Sequence, residues 1–262
     1  MTSAGFRVVV LAAQRKGVTD PLATRFGTSH KCLVPLVGEP LIAHVLRIVT
    51  SHPRVASVVV SIELDSFEAL RRAVPDLDCM ATTAADNIAD SVILAADGHV
   101  GPVIITTADN ALLTHASIDA MMEAAASGSD AAIAMARREA VLGVHPEAQR
   151  RFYRFRDGEF SNCNLYSITC PNALRAAEIF RGGGQFAKKA RRIVDAFGLV
   201  NLILLRLRLV SLGSGLKRIS ARIGVHITPV VLADGSQAID VDNDRTYAIV
   251  ESLLSRRMAM AA

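Results

Sequence analysis

The first residues able to do chemistry are small side chains and cations that follow the apolar run 6–11, FRVVVL. Small residues after a strand let the backbone approach a triphosphate closely, and spaced cations can neutralise its charge. We therefore predict a phosphate-binding loop, with tight packing of the alanines and surface exposure of the cations as the alternative. The residues of this loop are Ala12, Ala13, Arg15, Arg25 and Lys31.

Three carboxylates form a second group with the potential to bind a metal. Asp109 lies in the segment 106–110, TTADN, at the end of an apolar run, and Asp240 and Asp242 alternate in AIDVDND. Mg²⁺ typically binds one or two carboxylates and substrate phosphates, so a strand-end acid beside a phosphate loop suits it. Asp240 and Asp242 share one face of an extended segment, where like charges repel unless a cation neutralises them. A helix N-cap at Asp109 and a turn at Asn243–Asp244 are the alternatives.

Short apolar runs that alternate with helix-like stretches must position these residues. Continuous apolar strands separated by helices predict a parallel sheet covered on both faces. We therefore expect an α/β fold with a doubly wound, mostly parallel mixed sheet of Rossmann-like type. Ligands of such sheets bind at the carboxyl ends of the strands, which selects the loops after 6–11 and 102–107. The alternating runs lie at 6–13, 40–51, 56–63, 66–74, 90–99 and 102–109.

The second half of the chain adds helical and antiparallel elements. We expect a helix over 115–130, capped by Thr114 or Ser117, and then a strand over 131–139. Asp157–Gly158 is a hairpin signal within an aromatic-rich stretch, and it predicts an antiparallel addition to the sheet.

The C-terminal part is expected to return to the sheet. From His226 the pattern predicts a strand, a turn at Asp234–Gly235, a short strand ending at 240–242 and a final helix. No internal repeat or low-complexity linker interrupts the chain. We therefore expect residues 1–262 to form a single domain.

Residues 185–224 form a basic, apolar insertion with a helical pattern, in which Gly213, Gly215 and Gly224 are predicted breakers. The segment holds nine basic residues and one acid, Asp195, in a chain whose net charge is +4. This imbalance favours an anionic partner such as a phosphate ester or a lipid surface, with a solvated helix face as the alternative. The basic residues are Lys188, Lys189, Arg191, Arg192, Arg206, Arg208, Lys217, Arg218 and Arg222.

The apolar part of this insertion is too short to cross a bilayer. Its longest charge-free run, 196–205, is well below the roughly 20 apolar residues that a transmembrane helix needs. We favour a core helix pair whose arginines reach the surface, with a basic element that lies on a membrane or covers an acceptor pocket as the alternative. Nucleic acid is not an expected partner, because only Phe186 and Phe197 interleave with the cations.

Cysteine and N-terminal patterns bear on the compartment. The four cysteines form no Cys-x-x-Cys pair, which argues against structural zinc and favours a reducing compartment. The N-terminal apolar run lacks a preceding basic region and is too short for a signal peptide. We predict a cytoplasmic protein, for which residues 185–224 leave open a peripheral contact with the inner membrane face.

Taken in order, the motifs resemble those of nucleotidyltransferases related to molybdenum cofactor guanylyltransferase, which have a glycosyltransferase-A-type fold. The shared motifs are LAA-x-R, R-x-G, K-x-L-x-P-L-x-G-x-P-L, TADN, NCNLY and DVDND. The resemblance runs through almost the whole chain. It departs from that enzyme at Ala12–Ala13, where a glycine pair is usual, in the longer loop between Arg15 and Arg25, and in residues 185–224.

The resemblance implies a role for each matched residue. The implied nucleotide-binding residues are Leu11, Ala12 and Ala13 at the base and ribose, Ser91 at the base, and Arg15, Arg25 and Lys31 at the triphosphate. Asp109 and Asp242 would bind Mg²⁺. We further expect Asn162 and Asn164 to face the acceptor and Lys188 to bind its phosphate, with surface exposure of Lys188 as the alternative.

The implied activity is Mg²⁺-dependent transfer of a nucleoside monophosphate from a triphosphate to a small phosphorylated acceptor, with release of pyrophosphate. CTP or GTP is the favoured donor, and a phospho-alcohol, a sugar phosphate or a lipid headgroup precursor is the favoured acceptor. Arg25, Lys31, Asp109 and Asp242 would act by positioning and charge, since phosphoryl chemistry needs no protein nucleophile. A catalytically silent module that binds nucleotide or membrane is the alternative, and the joint presence of Lys31, Asp109 and Asp242 argues against it.

Overall fold

Ten strands are defined in the part of the chain that the computed structural model describes, residues 5–14, 17–170, 173–174 and 198–261. They are β1 (Phe6–Leu11), β2 (Pro35–Leu36), β3 (Glu39–Pro40), β4 (Val55–Ile62), β5 (Met80–Thr83), β6 (Val103–Thr107), β7 (Ala131–Arg137), β8 (Tyr153–Phe155), β9 (Gly158–Ile168) and β10 (Ile227–Leu232). β2 and β3 form a small sheet of their own. The other strands form one sheet in the order β10-β7-β9-β6-β1-β4-β5, with β8 paired to β9.

Most neighbouring strands of the main sheet are parallel, and β9 runs in the opposite direction. β1 is parallel to β4 and β6, β4 is parallel to β5, and β7 is parallel to β10. β9 is antiparallel to β6, β7 and β8. This topology confirms the expected doubly wound, mostly parallel mixed sheet.

Helices cover both faces of the sheet. They are α1 (Pro21–Phe26), α2 (Leu41–Thr50), α3 (Leu64–Ala73), α4 (Ile88–Ala96), α5 (His115–Ala126), α6 (Arg138–Val144), α7 (Leu199–Arg206), α8 (Leu212–Ile223) and α9 (Asp244–Ala261), with 3-10 helices at Lys31–Leu33 and Gly235–Ala238. Buried apolar side chains gather in two clusters. Two clusters are expected when a sheet is covered on both sides.

The central strand β1 shows why the sheet is covered on both faces. Val8, Val9 and Val10 are all fully buried, although successive side chains of a strand point to opposite faces. Val8 and Val10 pack in one cluster with Leu46 of α2, and Val9 packs in the other with Val92 of α4. Each buried valine contributes about 1.5–3 kcal/mol, so an uncovered face would be costly.

The structure confirms the predicted helix start and hairpin. Thr114 caps α5 and accepts a hydrogen bond from the backbone of Ser117, whose own side chain accepts one from the backbone of Thr114. The two candidate caps therefore act together as a capping box. The hairpin turn lies at Arg156–Asp157, and Gly158, with φ 141°, begins β9.

The predicted short strand ending at 240–242 is wrong. This segment leaves the 3-10 helix in an extended conformation, but it forms no ladder with the described strands. Val241 donates one backbone hydrogen bond to the carbonyl of Asp109 at 3.1 Å, and Asp242 donates back to the carbonyl of Asp240 at 3.1 Å. The second bond turns the chain after one paired residue, so a strand cannot continue.

The predicted breakers Gly213 and Gly215 lie inside α8, so this prediction is wrong at both positions. The helix starts at Ser211, whose side chain caps it, and Gly224 ends it in the left-handed conformation as predicted. A Cβ at Gly215 would lie 3.3 Å from the ring of Phe155. Gly215 therefore allows close packing on the hairpin instead of ending the helix.

The basic insertion is described from Gly198 onward, where it forms α7 and α8. Lys188 and the other cations before Gly198 lie outside the described residues. In the described part of the chain, no helix has both the length and the apolar character that crossing a bilayer requires.

Gly235 generates a stability prediction, because it lets the 3-10 helix touch the backbone of α6. A Cβ at Gly235 would lie 2.2 Å from the carbonyl carbon and oxygen of Ala140. We expect Gly235→Ala to lower the free energy of unfolding by about 3 kcal/mol or more, since backbone atoms cannot move aside as side chains do. Urea unfolding followed by circular dichroism measures this loss.

The matched control is Gly143→Ala in the same helix α6, where an added Cβ meets no atom within 4 Å. This variant should keep or gain stability, by up to about 1 kcal/mol, because alanine favours helices. Equal unfolding midpoints for Gly235→Ala and the parent protein would contradict the packing argument.

Candidate active site

The candidate site lies where β1, β4 and β6 end at the same edge of the sheet. Ala12 donates its N–H to the carbonyl of Ser61 at 2.9 Å, and Ala108 donates to the carbonyl of Leu11 at 2.9 Å. The parallel ladder therefore continues one residue beyond β1 and β6. These bonds hold Asp109 beside the loop that leaves β1. This agrees with the expectation that ligands of such sheets bind at the carboxyl ends of the strands.

An ammonium between two carboxylates is the central contact of the site. Lys31 Nζ lies 2.5 Å from Asp109 Oδ2 and 2.9 Å from Asp242 Oδ1. Lys31 begins the 3-10 helix, which is anchored by the buried Cys32. Asp109 is also held by Thr107, whose hydroxyl donates to its Oδ1 at 2.5 Å. Three residues predicted separately from the sequence are thus brought together.

The surroundings of Lys31 keep it charged. Burial lowers the pKa of Lys31, but the charges and hydrogen bonds of Asp109 and Asp242 outweigh burial, and the net pKa lies above its ordinary value. Lys31 is therefore an ammonium throughout the physiological range. It can donate hydrogen bonds and positive charge, and it cannot act as a base.

Asp240 adds a third carboxylate to the site. Its Oδ2 accepts a hydrogen bond from Asn164 Nδ2 at 2.7 Å, whereas its Oδ1 is shielded from water and has no partner among the described residues. Burial, followed by the negative charges of Asp109 and Asp242, raises the pKa of Asp240 well above its ordinary value. The site therefore carries more negative charge than Lys31 alone neutralises.

Asn162, Asn164 and Tyr166 form a polar row on one face of β9. Asn162 Nδ2 donates to Asn164 Oδ1 at 3.1 Å and lies 2.5 Å from the hydroxyl of Tyr166. Asn164 has a positive φ of 47°, a conformation that asparagine tolerates better than most residues. Burial raises the pKa of Tyr166 to about 12, so its hydroxyl stays neutral. The row orients the amide that holds Asp240.

The carboxylates fit a divalent cation that arrives with phosphate ligands. Within the described residues, no group of three or more His, Cys, Asp or Glu side chains forms a ready metal cage. Mg²⁺ commonly needs only one or two protein carboxylates when phosphates and water complete its coordination. The shielded Oδ1 of Asp240 has no partner among the described residues, and the carboxylate of Asp242 is exposed, so both offer oxygen ligands to such a cation.

Arg25 lies away from the Lys31 contact. Its guanidinium is 2.6 Å from Asp244 Oδ1 and stacks near the rings of Phe26 and Tyr247. The side chain is half exposed, so it can exchange partners with a phosphate at little cost. Its role at the triphosphate stays a prediction.

The remaining nucleotide-binding candidates lie around the β1 loop. Ala12 is buried, Leu11 is half-buried and Ala13 is exposed. Ser91 is buried in α4, and its hydroxyl accepts the N–H of Ala85 at 3.0 Å. It therefore shapes the turn before α4, and its contact with a base stays a prediction. Arg15 and Lys188 lie outside the described residues.

Two site residues beyond the predicted set are His30 and Glu63. Glu63 follows β4 and accepts the backbone N–H of Gln14 at 3.2 Å, and its other oxygen lies 3.2 Å from His30 Nε2. His30 Nδ1 is also 2.8 Å from the hydroxyl of Ser66. Glu63 thereby ties the β1 loop to the residue before Lys31. Its position after a strand, like that of Asp109, is the sequence signal that would have found it.

Asp240 generates a prediction about stability and pH. Because its pKa is raised on folding, the folded chain binds this proton more tightly than the unfolded chain. The free energy of unfolding should fall as the pH rises from the ordinary aspartate pKa of about 3.9 toward the raised value. Asp240→Asn should therefore raise the Tm at neutral pH in buffer with EDTA, by about 2–4 °C for each kcal/mol of repulsion removed.

Thermal melts between pH 3.5 and 8, followed by circular dichroism, test this expectation. The gain from Asp240→Asn should vanish near pH 4, where the parent side chain is protonated as well. Asp65→Asn, a change of an exposed acid in α3, is the control and should show no such gain. A Tm for Asp240→Asn at or below that of the parent at pH 7.5 would contradict the repulsion argument.

Comparisons with known proteins identify the family and the fold. The family model described as MobA-like NTP transferase domain matches residues 8–195. The sequence matches none of the curated proteins with which it was compared. A hypothetical transferase from Thermus thermophilus has a similar structure, with a TM-score of 0.77 and 23% identity over 92% of this chain and 98% of that chain.

Two further solved structures share the fold at lower identity. CMP:2-keto-3-deoxy-manno-octonic acid synthetase in complex with CTP has a TM-score of 0.59 and 14% identity over 96% of this chain and 99% of that chain. The 4-diphosphocytidyl-2C-methyl-D-erythritol synthase of Anaerococcus prevotii has a TM-score of 0.58 and 8% identity over 96% and 98% of the two chains. At these identities the likeness establishes the fold alone.

The match at 8–195 covers well over half of the chain and includes Lys31 and Asp109, two of the three residues in the central contact. The third, Asp242, lies beyond the match and is joined to them by the ion pair with Lys31. The family expected from the ordered motifs is thus confirmed, and this chain belongs to the MobA-like NTP transferase domain family of nucleotidyltransferase enzymes.

Proposed function

We propose that this enzyme transfers a nucleoside monophosphate from a nucleoside triphosphate to a small phosphorylated acceptor and releases pyrophosphate. The observation that carries the proposal is the ammonium of Lys31 between Asp109 and Asp242. A fixed cation and two carboxylates at the end of parallel strands are the groups that position and neutralise a triphosphate. Family membership supports nucleotidyl transfer, and the geometry supports the placement of the reaction.

In the proposed reaction an oxygen of the acceptor phosphate attacks the α-phosphorus of the triphosphate in line. A new P–O bond forms, the bond between the α-phosphorus and the α–β bridging oxygen breaks, and the electron pair leaves with pyrophosphate. The attacking phosphate oxygen is already ionised near neutral pH, so no general base is required. This agrees with Lys31, which stays protonated.

Lys31 and Arg25 would stabilise the negative charge that collects on the leaving pyrophosphate. Lys31 is held in place by Asp109 and Asp242, so its position is set before the substrate arrives. The side-chain amide of Asn162 donates to Asn164, and that of Asn164 donates to Asp240. Their closeness to the carboxylates supports an acceptor site on this side.

We propose Mg²⁺ as the metal, held by Asp109 and Asp242 together with substrate phosphates. When bound, it supplies Lewis-acid polarisation of the α-phosphate and orients the triphosphate. The carboxylates of Asp109 and Asp242 lie on either side of the Lys31 ammonium, so a dication can take up charge that this ammonium only partly neutralises.

CTP is the first donor to test, with GTP as the second. Two proteins of the same fold have cytidine nucleotides in their names, one of them in complex with CTP, whereas the resemblance of the sequence motifs to molybdenum cofactor guanylyltransferase favours GTP. A phospho-alcohol, a sugar phosphate or a lipid headgroup precursor is the proposed acceptor class, because the basic insertion favours an anionic molecule.

The direct experiment measures pyrophosphate release with each of the four ribonucleoside triphosphates, Mg²⁺ and a panel of phosphorylated alcohols and sugars. We expect release that depends on both the triphosphate and the acceptor. EDTA should abolish it, and Mg²⁺ with the correct triphosphate should raise the Tm by mass action. Triphosphate binding without turnover across the whole acceptor panel would favour a catalytically silent binding module instead.

Lys31 variants test the central contact. We expect Lys31→Ala to lower kcat by about 10²-fold or more, the scale of losing one preorganised electrostatic group. Lys31→Arg should restore only part of the loss, because a planar guanidinium does not replace a compact ammonium. Arg256→Ala removes an exposed cation from α9, away from the basic insertion, and is the control. An unchanged kcat and triphosphate affinity in folded Lys31→Ala would refute the role of Lys31.

Asp109→Asn tests the strand-end carboxylate. It keeps the shape of the side chain but removes the negative charge that pairs with Lys31, so we expect at least a 10²-fold loss of kcat/KM and loss of the Mg²⁺-dependent rise in Tm. The control is Asp119→Asn, an ion-paired carboxylate beside His52 at the opposite edge of the sheet. Activity of Asp109→Asn within threefold of the parent would remove Asp109 from the site.

A further inference from the structure

The surface of α7 exposes a group of large apolar side chains that the proposed reaction does not use. Only Asn201 and Arg206 are polar among the eight residues of this helix, and the sequence LRL, 207–209, follows it. The exposed fractions are 59% for Tyr153, 65% for Val200, 49% for Ile203, 60% for Leu207 and 54% for Leu209. We call these five residues, together with Arg206 and Arg208, the α7 surface.

Exposure on this scale is unusual for a short apolar helix. Helices that are apolar on most sides are normally buried in a core or in a membrane. Burial of apolar surface is the dominant favourable contribution to association, so these exposed side chains favour contact with a partner. Contiguous apolar patches on soluble chains commonly mark interaction sites.

An open groove runs between α7 and the neighbouring strand β8. Its volume is about 350 Å³. Leu202 and Leu205 line it on the helix side, and Phe152 and Tyr153 line it on the side of β8. Apolar contact area is therefore present on both sides of one open groove.

Cations surround this apolar area. Arg154, Arg206 and Arg208 also line the groove, and Arg218 of α8 donates to the side chain of Asn201 at 3.5 Å. Glu159 pairs with Arg154 at 3.0 Å, but Arg206 and Arg208 have no ion pair with any described residue. Residues 198–224 contain five basic residues and no acid.

The α7 surface is connected to the hairpin that leads into β9, the strand that carries Asn162 and Asn164. Arg156 of the hairpin donates its N–H to the carbonyl of Val210 at 2.9 Å, and Asp157 accepts the N–H of Leu212 at 2.9 Å. Along β9, Asn162 is four residues from Gly158 at the hairpin, a distance of about 13 Å at the rise of a strand. A partner on the α7 surface would therefore lie beside the active site.

We propose that the α7 surface docks on a lipid bilayer that contains anionic phospholipids. Apolar side chains beside arginines match the boundary between acyl chains and phosphate headgroups. Arginine binds phosphate oxygens with a planar pair of donors, and each cation near an anionic leaflet adds to the electrostatic attraction. A polar protein partner would not satisfy the apolar area, and a second copy would bring arginines against arginines.

The experiment is co-sedimentation of the full chain with vesicles of phosphatidylcholine alone or mixed with phosphatidylglycerol. The protein should sediment with the mixed vesicles and stay largely in solution with the neutral ones. Raising the salt concentration should weaken binding, since the headgroup attraction is screened. Absence of binding to the mixed vesicles, or equal binding to both kinds, would overturn the proposal.

Paired variants separate the apolar and the charged contributions. Ile203→Asp with Leu207→Asp, and separately Arg206→Glu with Arg208→Glu, should each lower the partition coefficient at least tenfold. The controls are Val100→Asp, an apolar residue with 87% exposure before β6, and Arg71→Glu with Arg72→Glu at the exposed end of α3. Both controls should bind vesicles as the parent does. Circular dichroism melts check that every variant folds.

Two readouts keep this proposal separate from the proposed reaction. Pyrophosphate release with a soluble acceptor should be unchanged in Ile203→Asp with Leu207→Asp, because neither residue supplies charge to the acceptor or belongs to the active site. Light scattering tests the alternative that a second copy of the chain binds the α7 surface. A dimer that Leu207→Asp dissociates, without vesicle binding by the parent, would assign the α7 surface to self-association and overturn membrane docking.

Discussion

The contact on which the site depends is the ion pair of Lys31 with both Asp109 and Asp242. It joins three distant parts of the chain, because Asp109 lies 78 residues and Asp242 lies 211 residues after Lys31. An exposed ion pair contributes little to stability, but this ammonium is largely removed from water and shared by two acids. With Asp240 close by, the carboxylates would repel one another if Lys31 were absent.

The fold holds these groups together through backbone contacts rather than through the charges themselves. The Ala108 and Val241 N–H groups bond to carbonyls of Leu11 and Asp109, which fixes the two acidic segments against the central strands. The close approach of Gly235 to Ala140 sets the path of the chain into Asp240. A rigid frame of this kind can hold like charges near one another, because the rest of the fold supplies the stabilising free energy.

Much of the fold and part of the site could be predicted because they follow from local patterns. The apolar runs predicted the strands. The tendency of ligands to bind at the carboxyl ends of parallel strands predicted that Asp109 lies at the edge beside the β1 loop. The path of 240–242, the amide of Asn164 on Asp240 and the link from Glu63 to His30 depend on contacts between distant segments. Local spacing carries no information on such contacts. Gly215 was predicted to break a helix because the residue that requires a glycine there, Phe155, is 60 residues away in sequence.

Every described cation predicted for the triphosphate is already paired with a carboxylate. Lys31 pairs with Asp109 and Asp242, and Arg25 pairs with Asp244. In the proposed reaction a triphosphate must therefore share these cations with the carboxylates. Its phosphates compete with Asp109 and Asp242 for the charge of Lys31, and a divalent cation can neutralise both the carboxylates and the phosphates. Triphosphate and metal should consequently bind with positive coupling, because each removes a repulsion that the other would meet alone.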